Sequence, residues 1–247
     1  MLVRIGWFQR LTSQLVRNWG GARVGAGRPR RGGRRNVEHR KREPHRSEFP
    51  VLITWRSRWR MLRSQIVFPV IRNAIARTNR SAGEAFRVCH FSVQGDHIHV
   101  LAEASSSVAL ERGARGLAIR IAKSVNQSIF HRGAFFADRY HVVELRTPRA
   151  VRNAIVYVLG NFRKHGHARK GDVLDVFSSA PYFTGFSEFE GSAWARYPRL
   201  IPRSLAPPMG VPTREPRTWL LSKGWVQGGR ISVHESPRAA RATIPPA

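Results

Sequence analysis

The sequence predicts an α+β domain built on an antiparallel sheet, and two observations carry that prediction. Apolar residues switch between a period of two and a period near 3.6, in the order β-α-β-β-α-β-α. The two central strand-like runs are separated only by Gly95-Asp96, a favourable two-residue hairpin turn.

Each element follows from its own pattern. Phe49–Arg56 reads as a strand. Over Gln65–Asn79, Ile66, Val70, Ile71, Ala74, Ile75 and Thr78 recur at helical spacing, and Pro69 is tolerated in a first turn. Phe86–Gln94 and His97–Ala104 alternate as strands. Ser107–Phe130 carries Leu110, Ala114, Leu117, Ile121, Val125 and Ile129 on one stripe, the apolar face of a long helix. Tyr140–Arg146 is strand-like. Thr147 then offers an N-cap hydroxyl and Pro148 a first-turn φ, opening a helix to about His165 that stops at Gly166. The first six elements match the ferredoxin-like split βαβ arrangement, with one helix added at its C-terminal end.

Charge divides the chain into three. Met1–Arg46 holds thirteen Lys/Arg, two acids and Gly-rich spacing, and reads as a disordered basic arm. Ser47–Lys170, with 21 basic and seven acidic residues, holds the regular patterns and is the folded domain. Gly171–Ala247 is rich in proline, and its aromatics (Tyr182, Phe183, Trp194, Tyr197, Trp219, Trp225) suggest a segment packed on that domain. The net charge of +28 makes nucleic acid the leading partner. No apolar run approaches the ~20 residues that span a bilayer, so no membrane role is expected. Leu2–Trp19 has no continuous apolar region of the signal-peptide kind, and the lone Cys89 suits a reducing cytoplasm.

The hairpin turn pairs Gln94 with His97, Val93 with Ile98, Ser92 with His99 and Phe91 with Val100. One sheet face then collects Cys89, Phe91, Val93, Ile98, Val100 and Ala102, and the other His90, Ser92, Gln94, His97 and His99. Two imidazoles at i, i+2 project side by side and can share a cation. A His-x-His triplet is weak by itself, since about 0.4 arise by chance in a chain with ten histidines. A second one, His165-Gly166-His167, falls at a helix end, where its imidazoles can satisfy terminal carbonyls or phosphates. Support for His97 and His99 comes from the last helix. Its buried stripe is Val151, Ala154, Ile155, Val158 and Phe162, and Tyr157 lies off it, aligned with Asn153, Asn161 and Lys164. A phenol attacks phosphorus well once the phosphate is polarised, and a cation on His97, His99 and the Asn161 amide oxygen would polarise it.

His97-Ile98-His99 on a strand, a long helix, then Tyr157-x-x-x-Asn161 on a final helix resembles the single-tyrosine HUH transposases. More closely, HFSVQGDHIHVLAEA and FFADRYHVVELRTPRAVRNAIVYVLGNFRKH look like the REP-associated tyrosine transposases. The resemblance implies that His97, His99 and Asn161 hold Mg2+ or Mn2+. It implies that Tyr157 takes the 5′ phosphate of a hairpin-bearing DNA single strand and releases a 3′ hydroxyl. It also implies a bacterial, nucleoid-associated enzyme that acts as a monomer, although related insertion-sequence enzymes pair and exchange the tyrosine helix. Two departures are Asn161-Phe162, where many members read Asn-Pro, and Gly95-Asp96, where many read Pro-Asn. Neither removes a catalytic group.

Further DNA contacts are expected from Arg112, Arg115, Arg120 and Lys123 along the second helix, from Arg139, and from Lys164. Gly27-Arg28-Pro29-Arg30 resembles a minor-groove hook through Arg28 and Arg30, or is a plain basic linker. The alternative to a nuclease is a non-catalytic nucleic-acid-binding protein of the same fold. Such a protein would carry an aromatic platform where this sheet carries histidines. A relaxase would place its tyrosine before the histidines.

Overall fold

The structure, a computed structural model, describes residues 43–168, 172–188, 190–196 and 210–236. The first 42 residues, with Arg28 and Arg30, and Tyr197 lie outside the described residues, as does the side chain of Trp194. The predicted order of elements is present: β1 (Val51–Arg56), α1 (Val67–Ser81), β2 (Phe86–Val93), β3 (His97–Ala104), α2 (Ser107–Ser128), β4 (His141–Glu144) and α3 (Pro148–Lys164). The strands form one sheet in the order β2-β3-β1-β4 with every neighbour antiparallel, the α+β ferredoxin-like arrangement plus a terminal helix. No helix among the described residues is long and apolar enough to cross a membrane.

The sheet separates two cores. Ile53, Trp55, Phe91, Val93, Ile98, Val100 and Ala102 meet α1 and α2, where Ile71, Ile75, Leu117 and Ile121 complete the first. Leu52 and Leu101 point the other way, onto Val151, Ile155 and Val158 of α3. The hairpin register is as the turn dictates, with Ser92 opposite His99 and Val93 opposite Ile98. Further along, Val88 pairs with Ala102 while His90 pairs with Leu101, so Cys89 is an extra residue in a bulge. The bulge corrects one expectation. Cys89 belongs to the α3 core, and Val88 takes its expected place beneath α1 and α2.

The helix ends show where local chemistry decides. Ser106 and Thr147 are N-caps, accepting from the amides of Ala109 and Ala150 at 3.1 Å each. α3 ends in a Schellman motif: the Gly166 amide donates to Arg163 O, the His167 amide donates to Phe162 O, and Gly166 has φ 68°. α2 stops at Ser128, two residues before the predicted end, in the same motif. There the Phe130 amide donates to Gln127 O and the His131 amide to Asn126 O, but the left-handed residue is Phe130, at φ 51°. A non-glycine residue in that region costs about 1–2 kcal/mol. β4 is shorter than the predicted Tyr140–Arg146, because its pairing with β1 runs only from His141–Thr54 to Glu144–Val51.

The C-terminal segment closes the edge of β2 and caps the α3 core. The Val93 amide donates to Phe177 O, and the Ser179 amide to Phe91 O, both at 2.9 Å. The buried Glu103 carboxylate accepts from the Arg217 and Thr218 amides and the Thr218 hydroxyl. Phe183, Phe186, Leu221, Trp225 and Ile231 then pack with α3.

Candidate active site

The site forms where the start of β3 meets the second half of α3. Strand alternation sends the side chains of His97 and His99 to the α3 side of the sheet, and both are buried, with 5% and 2% of their surface exposed. Pairing with β1 puts Thr54 opposite His99, and their Oγ1 and Nδ1 atoms are hydrogen-bonded at 2.9 Å. The Asp96 carboxylate can only accept, so His97 donates to it from Nδ1 at 2.7 Å. That fixes the His97 tautomer and leaves Nε2 as a bare lone pair. Nε2 is buried and has no hydrogen-bond partner among the described residues. The two rings are 4.7 Å apart, centre to centre.

α3 supplies the facing groups. The Tyr157 hydroxyl is hydrogen-bonded to His99 Nε2 at 3.2 Å, with the rings edge to face at 4.9 Å. One turn on, Asn161 is fully buried, and no hydrogen bond of normal length and angle reaches its amide among the described residues, although the amide lies near enough to the Tyr157 hydroxyl to act on it. Each buried polar group left unpaired costs about 1–3 kcal/mol. The Lys164 ammonium sits 5.7 Å from the centre of the Tyr157 ring. His165, one turn beyond Asn161, brings its ring to 4.8 Å from His97.

Burial governs the electrostatics. It holds His99 well below the ordinary imidazole value, reinforced by the charges of His97, His165 and Lys164. It lowers His97 too, against the opposing pull of Asp96. Burial pushes the Asp96 carboxyl up, but the bond from His97 and the charges of His97 and Arg56 outweigh it and hold Asp96 low. Burial raises the Tyr157 phenol, with Asn161 acting the other way. At neutral pH the site therefore presents neutral imidazoles and a protonated phenol.

Among the described residues no three His, Cys, Asp or Glu side chains assemble as a metal site. The donor set suited to a cation is two imidazoles and a carboxamide. Its fit rests on the orphaned Nε2 of His97 and the orphaned amide of Asn161. Each histidine is oriented by a partner on its other nitrogen, as metal-binding histidines are.

The expected residues divide by location. His99 meets both His97 and Tyr157, and Asn161 and Lys164 lie within two turns of Tyr157 on the same helix. Arg112 and Arg120 are elsewhere, lining a groove of about 470 Å³ between α1 and α2, where Arg120 donates to the Thr78 and Ser81 hydroxyls. Arg115 and Lys123 are exposed on α2, and Arg139 is exposed in the loop before β4. The structure adds Thr54, Asp96 and His165. His165 is the C-cap residue of α3 through its backbone amide, and its ring is a neighbour of His97. Its i+4 spacing from Asn161 was the available signal.

No family model and no curated protein matches the chain. Among solved structures it is similar to a REP-associated tyrosine transposase bound to a REP hairpin, at 16% identity and a TM-score of 0.41. That likeness spans 74% of this chain and 93% of the other. It is also similar to a candidate transposase from Deinococcus radiodurans R1, at 15% identity and a TM-score of 0.35, over 57% of this chain and all of the other.

Proposed function

We propose that the chain is a metal-dependent transposase that cuts and rejoins single-stranded DNA beside palindromic hairpins, through a 5′-phosphotyrosine at Tyr157. The observation that carries this reading is the Tyr157 hydroxyl at 3.2 Å from His99 Nε2, one turn from a buried amide that no hydrogen bond of normal length and angle reaches among the described residues. The phenol gives up its proton to solvent as its oxygen forms a bond to phosphorus, the bond from phosphorus to the 3′ oxygen breaks, and that oxygen takes a proton and leaves as a hydroxyl. Rejoining is the reverse, with a 3′ hydroxyl displacing the tyrosine. His97, His99 and Asn161 would hold a divalent cation, magnesium or manganese, whose contribution is to polarise the scissile phosphate. The Lys164 ammonium adds positive charge beside the phenol as its oxygen turns anionic. With Nδ1 donating to the Thr54 hydroxyl, His99 Nε2 would offer its lone pair to either the Tyr157 hydroxyl or a cation, so that binding one releases the other.

A non-catalytic RNA-binding reading requires an open sheet face bearing aromatics. Here α3 and the C-terminal segment cover that face, and the histidines beneath are buried.

The test is a denaturing gel with a labelled hairpin oligonucleotide. Wild type is expected to yield a covalent adduct that chelator abolishes and manganese or magnesium restores. Tyr157→Phe is expected to yield none, while binding the cation no more weakly. An adduct that persists in Tyr157→Phe, or that maps to Tyr140, removes the assignment. Undiminished cleavage in excess chelator removes the metal.

A further inference from the structure

Phe130 is anomalous in two independent respects. α2 and α3 end with the same pair of hydrogen bonds, yet the left-handed position is Gly166 in one and Phe130 in the other. A side chain is strained there, and glycine or asparagine is the ordinary occupant. The ring gains nothing from the fold in return, being 97% exposed. Strain that packing does not repay is characteristic of functional positions.

The surroundings indicate what the ring serves. The next residue, His131, packs edge-on against Trp59 at 4.7 Å. The Trp59 amide donates to Ser57 Oγ, the Ser57 amide to Asp96 O, and Asp96 anchors His97. Phe130 therefore stands on the loop that borders the histidine end of the sheet. Arg58, Arg60, Arg132 and Arg139, on the same two loops, are exposed, and none forms an ion pair among the described residues.

We propose that Phe130 is a stacking platform for an unpaired base of the single strand whose phosphates these arginines hold. This rests on the single-stranded substrate proposed above. Stacking on an aromatic ring accepts any base, because every base has a π face, and the arginines supply the sequence-independent charge.

The test compares wild type, Phe130→Gly and Phe130→Trp by fluorescence anisotropy in chelator. One probe is an oligothymidylate of about twelve nucleotides, the other an abasic strand of equal length. Wild type and Phe130→Trp are expected to prefer the strand with bases. Phe130→Gly is expected to bind oligothymidylate about 5- to 150-fold more weakly and the abasic strand equally well. It should also melt about 2–4 °C higher, because glycine accepts the left-handed backbone. Unchanged oligothymidylate binding, equal losses on both probes or a lower melting temperature would each overturn the proposal. A wild type that binds neither probe would overturn the single-strand reading along with it.

Discussion

His90 carries a cost that surfaces only in acid. Its ring is buried against Phe183 at 5.4 Å, and burial lowers its pKa from 6.5 to about 4. The unfolded chain protonates this imidazole near pH 6.5, whereas the folded chain resists until about pH 4. Between those values the unfolded state binds more protons, so stability falls as pH drops through the window and is unaffected above it. The full loss is on the order of 3 kcal/mol. His90→Asn should flatten the acid limb of stability between pH 6.5 and 4, as followed by urea unfolding; an unchanged limb would contradict it. At this scale the sequence was informative wherever spacing alone decides. Period-two alternation placed His97 and His99 on one face, and helical spacing placed Tyr157 beside Asn161. Cys89 was misplaced because a bulge adds one residue, and alternation carries no sign of where that happens. The orienting roles of Thr54 and Asp96 depend on cross-strand register and on a side-chain rotamer, which spacing does not encode.

Two glycines of α2 illustrate how packing overrides helix propensity. In an open helix, alanine for glycine stabilises by about 1 kcal/mol. A Cβ on Gly116 would meet nothing within 4 Å, whereas one on Gly113 would fall 2.2 Å from the buried Phe86 ring. Gly116→Ala should therefore raise stability by about 0.5–1 kcal/mol. Gly113→Ala should lower it by about 1–3 kcal/mol through overpacking. Thermal melts of the two variants should shift in opposite directions, and a shared sign would refute the packing account. The order of the seven elements from β1 to α3 was legible because each run keeps one period and carries its own cap or turn, whereas the short helical turns after α3 were not. The limits of the seven were less so. β4 ends where β1 stops offering partners, and α2 stops two residues early in a left-handed turn that Phe130 gives no local reason to expect.

Over the whole molecule, charge is the largest signal and the least specific. The expected arm ends sooner than Arg46, because the His45 side chain is buried and bonded to Glu144 and to Ala104 O; residues 1–42 carry a net +11 of the total +28 and none of the proposed catalytic groups. If roughly five of them touch phosphates, deleting the arm should flatten the slope of log affinity against log salt by about 3.5 to 4.5 units. Cutting of saturating oligonucleotide at low salt should change little. A salt titration of the truncated chain that matches the full chain would show that the arm does not bind DNA. The C-terminal segment was legible only as aromatic and proline-rich, because its contacts join residues far apart in sequence and follow no period. Glu103, for example, accepts from Arg217 and Thr218, more than a hundred positions away. Those contacts also bear on the gene. The edge of β2 and the outer side of α3 are covered by residues near 177–179 and 220–233, so they stay bare on a nascent chain until those residues leave the ribosome. A stop codon ahead of residue 177 would yield a product with an open strand edge and an uncovered apolar helix, a template for aggregation.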